Sequence, residues 1–512
     1  MNRSFSLALL AVIAMLPVGL TSAMFRAMST HMAVTNGLSP DEMSHLDIGF
    51  MMTQLVMLLL APLILRRCRI NVALRRALMM AAVSHLVIAV TDHAPLLQAG
   101  AWLALGACAS LILVSLNLLI LARCRYRTIT VITALILLCS TLLPMGVYPW
   151  LLSWLAEETA WQFLSYLLAG MLLTAQLMAE WVTDIRQPQR ERKSNVLPYL
   201  LMTGCLVLIA YLLMRGSYYN WFDHPRFRWM TGVTAMLALG ALVLMQAGQR
   251  SGHTLNRKLL TNLHNNVFMY NGFLAGFGVM ASGALVANFL SHVMHYSHEN
   301  AGLIQLPSFL AMLAGMLLSV VAANQHRFPR DMITPIGVLM IIGSVVMFSH
   351  LPSYAGPDEL LFPLCLRGLG VGLLNVSVTI AMLAHFKPDH RPEGISVFYI
   401  FRTLGGLAGS AIFARIMQIT RYESMSELAR TLDNGGQAVE QYTQAMKHLA
   451  LTQGYLPSGT LSAGQLSQTL KLEASTLALS NTFLAFVIAI LLLAPVMIIG
   501  KKLVARHQST SC

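Results

Sequence analysis

Apolar runs of about twenty residues recur along this chain, divided by short polar segments. As helices, at about 1.5 Å per residue, such runs match the roughly 30 Å hydrocarbon core of a bilayer. Fourteen can be marked, over 5–24, 46–65, 77–93, 96–121, 128–152, 161–181, 196–214, 228–248, 266–290, 301–323, 332–350, 361–385, 395–418 and 476–500. The polar segment 419–475 is far longer than the others. Asn434-Gly435-Gly436 and Pro457-Ser458-Gly459 punctuate it, which predicts short helices forming either a solvated connector or a docking surface.

Charge orients the pattern. With the N-terminus cytoplasmic, the inner segments hold 23 of the 34 Lys and Arg and the outer segments 8. Of the 21 acids, 15 fall outside. Basic loops mark the cytoplasmic side, and an even number of spans returns the C-terminus to it. The first 23 residues have the cast of a signal peptide, but the alternation requires them as a retained first span.

Composition agrees. Of 512 residues 56% are hydrophobic and 11% charged, with mean hydropathy +0.65, against roughly 25% charged in soluble domains. The net charge of +13 sits in the loops, so it reads as membrane topology and not as a nucleic-acid footprint. Seven cysteines are scattered without a CxxC, which argues against a disulfide framework or zinc site. HExxH, GxSxG and Walker patterns are absent, so an enzyme is not expected, nor a metal or organic cofactor.

The chemistry lies in polar groups inside the spans. "FRTLGGLAGSAIFARI" places Arg402 beside Gly405 and Gly409, and "LCLRGLGVGLLN" places Arg367 before Gly368, Gly372 and Asn375. A mid-span arginine costs roughly 2.5–3.5 kcal/mol to insert, so each should face protein or a wet cavity. The GxxxG spacing lets another backbone come close. The ninth span repeats the theme with Tyr270, Asn271, Gly272 and Gly276. Its polar stripe suits either a pathway lining or ordinary interhelical bonding. Proton-coupling candidates are His85 in the third span, Asp47 near the start of the second and Glu180 at the inner end of the sixth. His85 reads otherwise as a satisfied core histidine, and Asp47 as a helix-start acid.

The run "SVFYIFRTLGGLAGSAIFARI", then a long outer loop and a last span, resembles EmrB-like multidrug exporters, the fourteen-span drug:proton antiporters of the major facilitator superfamily. "KPDHRPEGISVF" is similar to that family's preceding inner loop, and "ETAWQFLSYLLAG" to its entry into the sixth span. The N-terminal half departs from the pattern. "APLILRRCR" keeps Leu63, Arg66 and Arg69 of the loop after the second span but has Ala61, Leu65 and Cys68 at its Gly, Asp and Gly positions. Trp102 stands where the fourth-span arginine belongs, and the first span has no Asp.

The resemblance implies an all-α membrane protein with two six-helix bundles, 1–195 and 259–512, and two linking spans in 196–258. It implies alternating access around a midplane cavity bordered by Arg402, Arg367, Asn271, Tyr270 and Asn375. Arg66, Arg67 and Arg69 would brace the cytoplasmic gate. The implied activity is export of amphipathic compounds from a bacterial inner membrane, driven by a proton gradient. A periplasmic adaptor with an outer-membrane channel would meet the 419–475 loop. Arginines with few buried acids favour neutral or anionic cargo. Two alternatives stay open: export of one endogenous metabolite such as a siderophore, and a non-transporting scaffold or sensor.

Overall fold

The computed structural model describes residues 3–91, 94–158, 161–181, 196–247, 262–325, 330–386, 390–434, 441, 444 and 459–509. Among these there is no strand, and fourteen helices are long and apolar enough to cross a membrane. The basic segments 186–193 and 250–258 lie outside the described residues, as do Cys512 and most of 435–458.

The helices holding the spans are Arg3–Asn36, Pro40–Arg67, Ile70–Val90, Pro95–Arg123 and, for the fifth, a composite over Tyr126–Gly146. Next come Trp161–Trp181, Val196–Arg215, Pro225–Ala247, Leu263–Asn288 and Leu306–Asn324. The last four are Arg330–Ser349, Pro357–His385, Arg391–Asn434 and Gly459–Ser509. Among the first six, the fourth packs on the second and third, and the sixth on the first and third. Among the last six, the thirteenth packs on the ninth and fourteenth, and the twelfth on the tenth and eleventh. The seventh and eighth pack on each other, and the seventh also on the second. Only 22% and 17% of the most apolar windows in that pair are buried, against 78% in the fourth span. The pair is therefore peripheral, with most of its apolar surface exposed.

Three boundaries differ from expectation. The third span starts at Ile70 and not at 77, so Arg75 and Arg76 lie on the helix. Arg75 pairs there with Glu180, which offsets the cost of a charge near the membrane edge. The fifth span does not run to 152. It passes through a π turn at Leu138–Leu142, ends at Gly146, and a separate helix follows at Tyr148–Glu158. Pro144 explains this: it has no N–H for Ser140, and its ring crowds that carbonyl, so the turn widens. Gly19 of the first span packs on the Cys139 carbonyl exposed in the widened turn. Finally, the 419–475 segment does not begin as separate short helices. The thirteenth span continues to Asn434 and the fourteenth span's helix starts at Gly459, so the glycine-rich breaks stand at the two helix ends.

Candidate functional site

The loops rich in arginine define one end of the molecule, here the basic end, and the acid-rich loops define the other. Midway between them, Arg402 joins the thirteenth span to the twelfth. Its Nη1 donates to Thr379 Oγ1 at 3.0 Å and its Nη2 to Asn375 Oδ1. Asn375 and Thr379 are four residues apart and share one helix face. The Thr379 hydroxyl donates to the Asn375 carbonyl at 2.8 Å, which leaves its lone pairs for the guanidinium. Each interhelical bond returns about 0.6–1.7 kcal/mol, part of the insertion cost of the charge.

Tyr399 sits three residues before Arg402 on the same face. Its hydroxyl lies 3.5 Å from Asn117 Nδ2 on the fourth span. A band of polar groups therefore runs from the fourth span through the thirteenth to the twelfth. It has spare capacity: Asn117 Oδ1 and Asn375 Nδ2 are buried without a hydrogen-bond partner. Such groups are costly unless something bonds to them.

Glycines set the height of Arg402. A Cβ on Gly276 would run into the Arg402 carbonyl, and one on Gly405 into the Phe273 carbonyl. Gly272 lies against the Phe398 ring, and Gly409 against the Phe277 carbonyl and Ala281. The ninth and thirteenth spans thus touch backbone to backbone. Gly368 and Gly372 do the same for the twelfth and tenth spans, against Ser308 and Met312.

Arg367 is 1% exposed, and its Nε and Nη1 have no partner. It lies beside Gly283 of the ninth span, where Met145 of the fifth also arrives. Asn271 is buried with Oδ1 unpartnered. Tyr270 is used differently: its hydroxyl donates to the Leu493 carbonyl at 2.9 Å, tying the ninth span to the fourteenth.

The proton-coupling candidates occupy three separate places. His85 is fully buried, with Nε2 2.9 Å from Thr21 Oγ1. Thr21 spends its proton on the Pro17 carbonyl at 2.8 Å, so Nε2 is the donor and Nδ1 carries a lone pair without a partner. This contact lies within the N-terminal half. Asp47 is half-buried in the second span and engaged with neighbouring groups. Within the two turns before it, Arg215 Nη2 donates to Asp41 Oδ1 at 2.6 Å and lies 2.9 Å from His45 Nε2, pinning the seventh span to the second. Glu180 is exposed and paired with Arg75 across the third and sixth spans. Such a surface pair contributes about 0–1 kcal/mol.

Both ends are closed. At the basic end Arg66 forms an ion pair with Glu393, whose side chain is 2% exposed. Arg391 Nη1 donates to the Leu121 carbonyl at 3.4 Å, and Thr130 lies 3.1 Å from Asn324. Arg67 and Arg69 are exposed, and Arg69 precedes the third-span helix. At the acidic end the helix His298–Leu303 packs on Tyr148–Glu158, and Gly302 lets it reach the Trp150 backbone. Gly146 seats the Phe309 ring just below.

Sequence reasoning missed Glu393, Thr379, Tyr399 and Asn117. Glu393 stands in the first turn of a helix, where an acid reads as a dipole partner. Thr379 and Tyr399 were open to detection, at four residues from Asn375 and three from Arg402. Asn117 gave no such signal, because its relation to Tyr399 exists only across the packed halves.

A curated relative from Mycobacterium tuberculosis, the uncharacterized MFS-type transporter EfpA, is 25% identical over 250 residues, covering 47% of this chain and 45% of its own. The uncharacterized transporter C460.03 of Schizosaccharomyces pombe is 21% identical over 252 residues, covering 49% of this chain and 44% of its own. These matches therefore span less than half the length of either relative. Among solved structures, the human organic anion transporter MFSD10 (TETRAN) superposes with TM-score 0.58 at 12% identity, covering 96% of this chain and all of that one. The D323A mutant of the nucleoside transporter NupG gives 0.51 at 13%, covering 98% and 100%. Likeness at that identity speaks to fold. A model of the Major Facilitator Superfamily matches residues 7–410, and by that match over most of its length the chain belongs to this superfamily.

Proposed function

We propose that the protein is a secondary transporter that exports amphipathic organic compounds across a bacterial inner membrane by alternating access coupled to protons. The observation that carries this reading is the polar band Asn117–Tyr399–Arg402–Asn375–Thr379, with unpartnered groups, buried between two closed ends. A structural cluster would be expected to satisfy its members; a binding site keeps capacity for a ligand. Family membership supports transport over catalysis, and the fourteen-span pattern supports the drug:proton antiporter branch.

In this reading residues 1–195 and 259–512 rock against each other, with 196–258 as a peripheral pair, and the present state is occluded. Opening the basic end separates Arg66 from Glu393, Thr130 from Asn324 and Arg391 from Leu121. Opening the acidic end parts Gly302 from Trp150. The basic end is cytoplasmic by the positive-inside rule. An adaptor at 419–475 would meet a stretch that lies largely outside the described residues.

Proteoliposome transport of amphipathic dyes, with and without an imposed pH gradient, tests the proposal. Wild type should move substrate faster with the gradient. Arg402→Ala should lose transport under both conditions, as a binding defect does. Loss in Asp47→Asn or His85→Ala only when the gradient is the driving force would mark coupling. No movement of any dye under either condition would refute the proposal.

A further inference from the structure

Arg367 is not explained by the polar band. It stands eight residues from Asn375 on the same helix, about 12 Å toward the acidic end. It ranks among the largest fully buried side chains of the protein. Three of its N–H donors, one on Nε and two on Nη1, have no acceptor. No ion pair to it is found among the described residues, whereas Arg66, Arg75, Arg215 and Arg415 each have a carboxylate within 4.0 Å.

The wall beside it is made of small and flexible groups. The nearest groups to a Cβ built on Gly283 are Met145 Cε at 2.9 Å and Arg367 Nη2 at 3.7 Å. Gly283 thus borders the guanidinium, a flexible thioether side chain packs on the same glycine, and methionine re-packs readily. The fifth and ninth spans each carry a π turn near this point, at Leu138–Leu142 and Phe289–Val293. Such turns concentrate at functional sites. Ser308 Oγ, buried and also without a partner, lies against the adjacent Gly368. The place is shared by the fifth, ninth and twelfth spans, where the two halves meet.

We propose that Arg367 is the receptor for the anionic group of the cargo, a carboxylate, sulfonate or phosphate on an apolar body. A buried guanidinium with three idle donors, no carboxylate and a deformable wall is complementary to an oxyanion and repels a cation. The proposal rests on the transport reading above and adds to it a charge class and a contact residue. Arg367 holds the headgroup between the halves, and the apolar body lies on the Met145 side of it.

Three probes with one body separate the terms: pyrenebutyrate, pyrenebutanol and pyrenebutylamine. Equilibrium binding is measured on protein in nanodiscs, which needs no transport. One hydrogen bond to a charged group corresponds to an affinity gain of roughly ten- to a hundredfold, so wild type should bind pyrenebutyrate more tightly than pyrenebutanol by at least that factor and pyrenebutylamine most weakly. Arg367→Met, close in volume and neutral, should abolish the preference while leaving pyrenebutanol affinity within about twofold. Arg367→Lys, which keeps the charge, should retain part of it, and thermal melting with pyrenebutanol binding establishes that each variant is folded. An unchanged anion preference in folded Arg367→Met, or equal wild-type affinity for all three probes, overturns the assignment. Anion-selective binding without transport of any probe in proteoliposomes would leave this site standing and sink the exporter reading instead.

Discussion

At the scale of single residues, the deciding question is which buried charges are paired. Glu393 is almost wholly buried and its partner Arg66 is about a third exposed. Removing the arginine leaves a carboxylate in a dry site with only His390, 3.8 Å away, to face it among the described residues, whereas neutralising the acid frees an arginine that can reach water. We expect Arg66→Ala to cost roughly 1–3 kcal/mol and Glu393→Gln less, as read by thermal melting in detergent. The order should persist in thiol labelling of a cysteine at Asn117, with faster labelling in Arg66→Ala because the basic end opens more often. Equal effects from both variants would remove the burial argument. Arg402 poses a geometric demand. Its planar fork reaches Thr379 and Asn375 together, which a lysine point charge on a flexible stem does not reproduce. Arg402→Lys should therefore cut transport more than about tenfold without lowering the melting temperature by more than a few degrees.

At the scale of helices, glycine decides where backbones touch. Gly405 and Gly276 occupy positions where an added Cβ meets a carbonyl of the facing span, and a carbonyl cannot swing aside as a side chain does. Gly405→Ala should destabilise by roughly 1–3 kcal/mol through forced separation of the ninth and thirteenth spans. Gly170, with nothing within 4 Å of its Cβ position, is the control: Gly170→Ala should be neutral or stabilising by up to about 1 kcal/mol, the helix-propensity gain. Comparable losses at both positions in a melting assay would show that helix-wide effects, not close approach, set the cost. The fifth span shows another element-level rule. A hydropathy window sees 128–152 as one run, because apolar residues continue past Gly146. The backbone does not continue, because Pro144 withholds an N–H and the chain adopts a π turn and then a new helix.

At the scale of the whole molecule, function requires that the basic and acidic ends open in turn. Thr130 and Asn324 face each other across the halves at the basic end. In a background without the native cysteines, a cleavable bifunctional thiol reagent joining Thr130→Cys to Asn324→Cys should stop transport, and cleavage should restore it. Undiminished transport in the cross-linked protein would mean that the halves do not separate at this end.

The order and number of spans, the polar segments between them and the breaks at Asn434 and Gly459 were legible in the chain itself. Each depends on a local property: the transfer energy of twenty residues, the charge of a short loop, or the conformational freedom of glycine. Arg75 and Arg76 read as loop residues because the third-span boundary lies seven residues, about two turns, before the start that hydropathy marks, and hydropathy is least informative at a charged helix end. Tertiary structure alone decided which buried arginine found a partner. Arg66 met Glu393, Arg402 met Asn375 and Thr379, and Arg367 met neither acid nor amide through two of its nitrogens. Nothing local separates these residues, since all three are arginines at or within apolar helices. Their fates follow from how helices distant in the chain cross and rotate, and that relation exists only once the spans are packed.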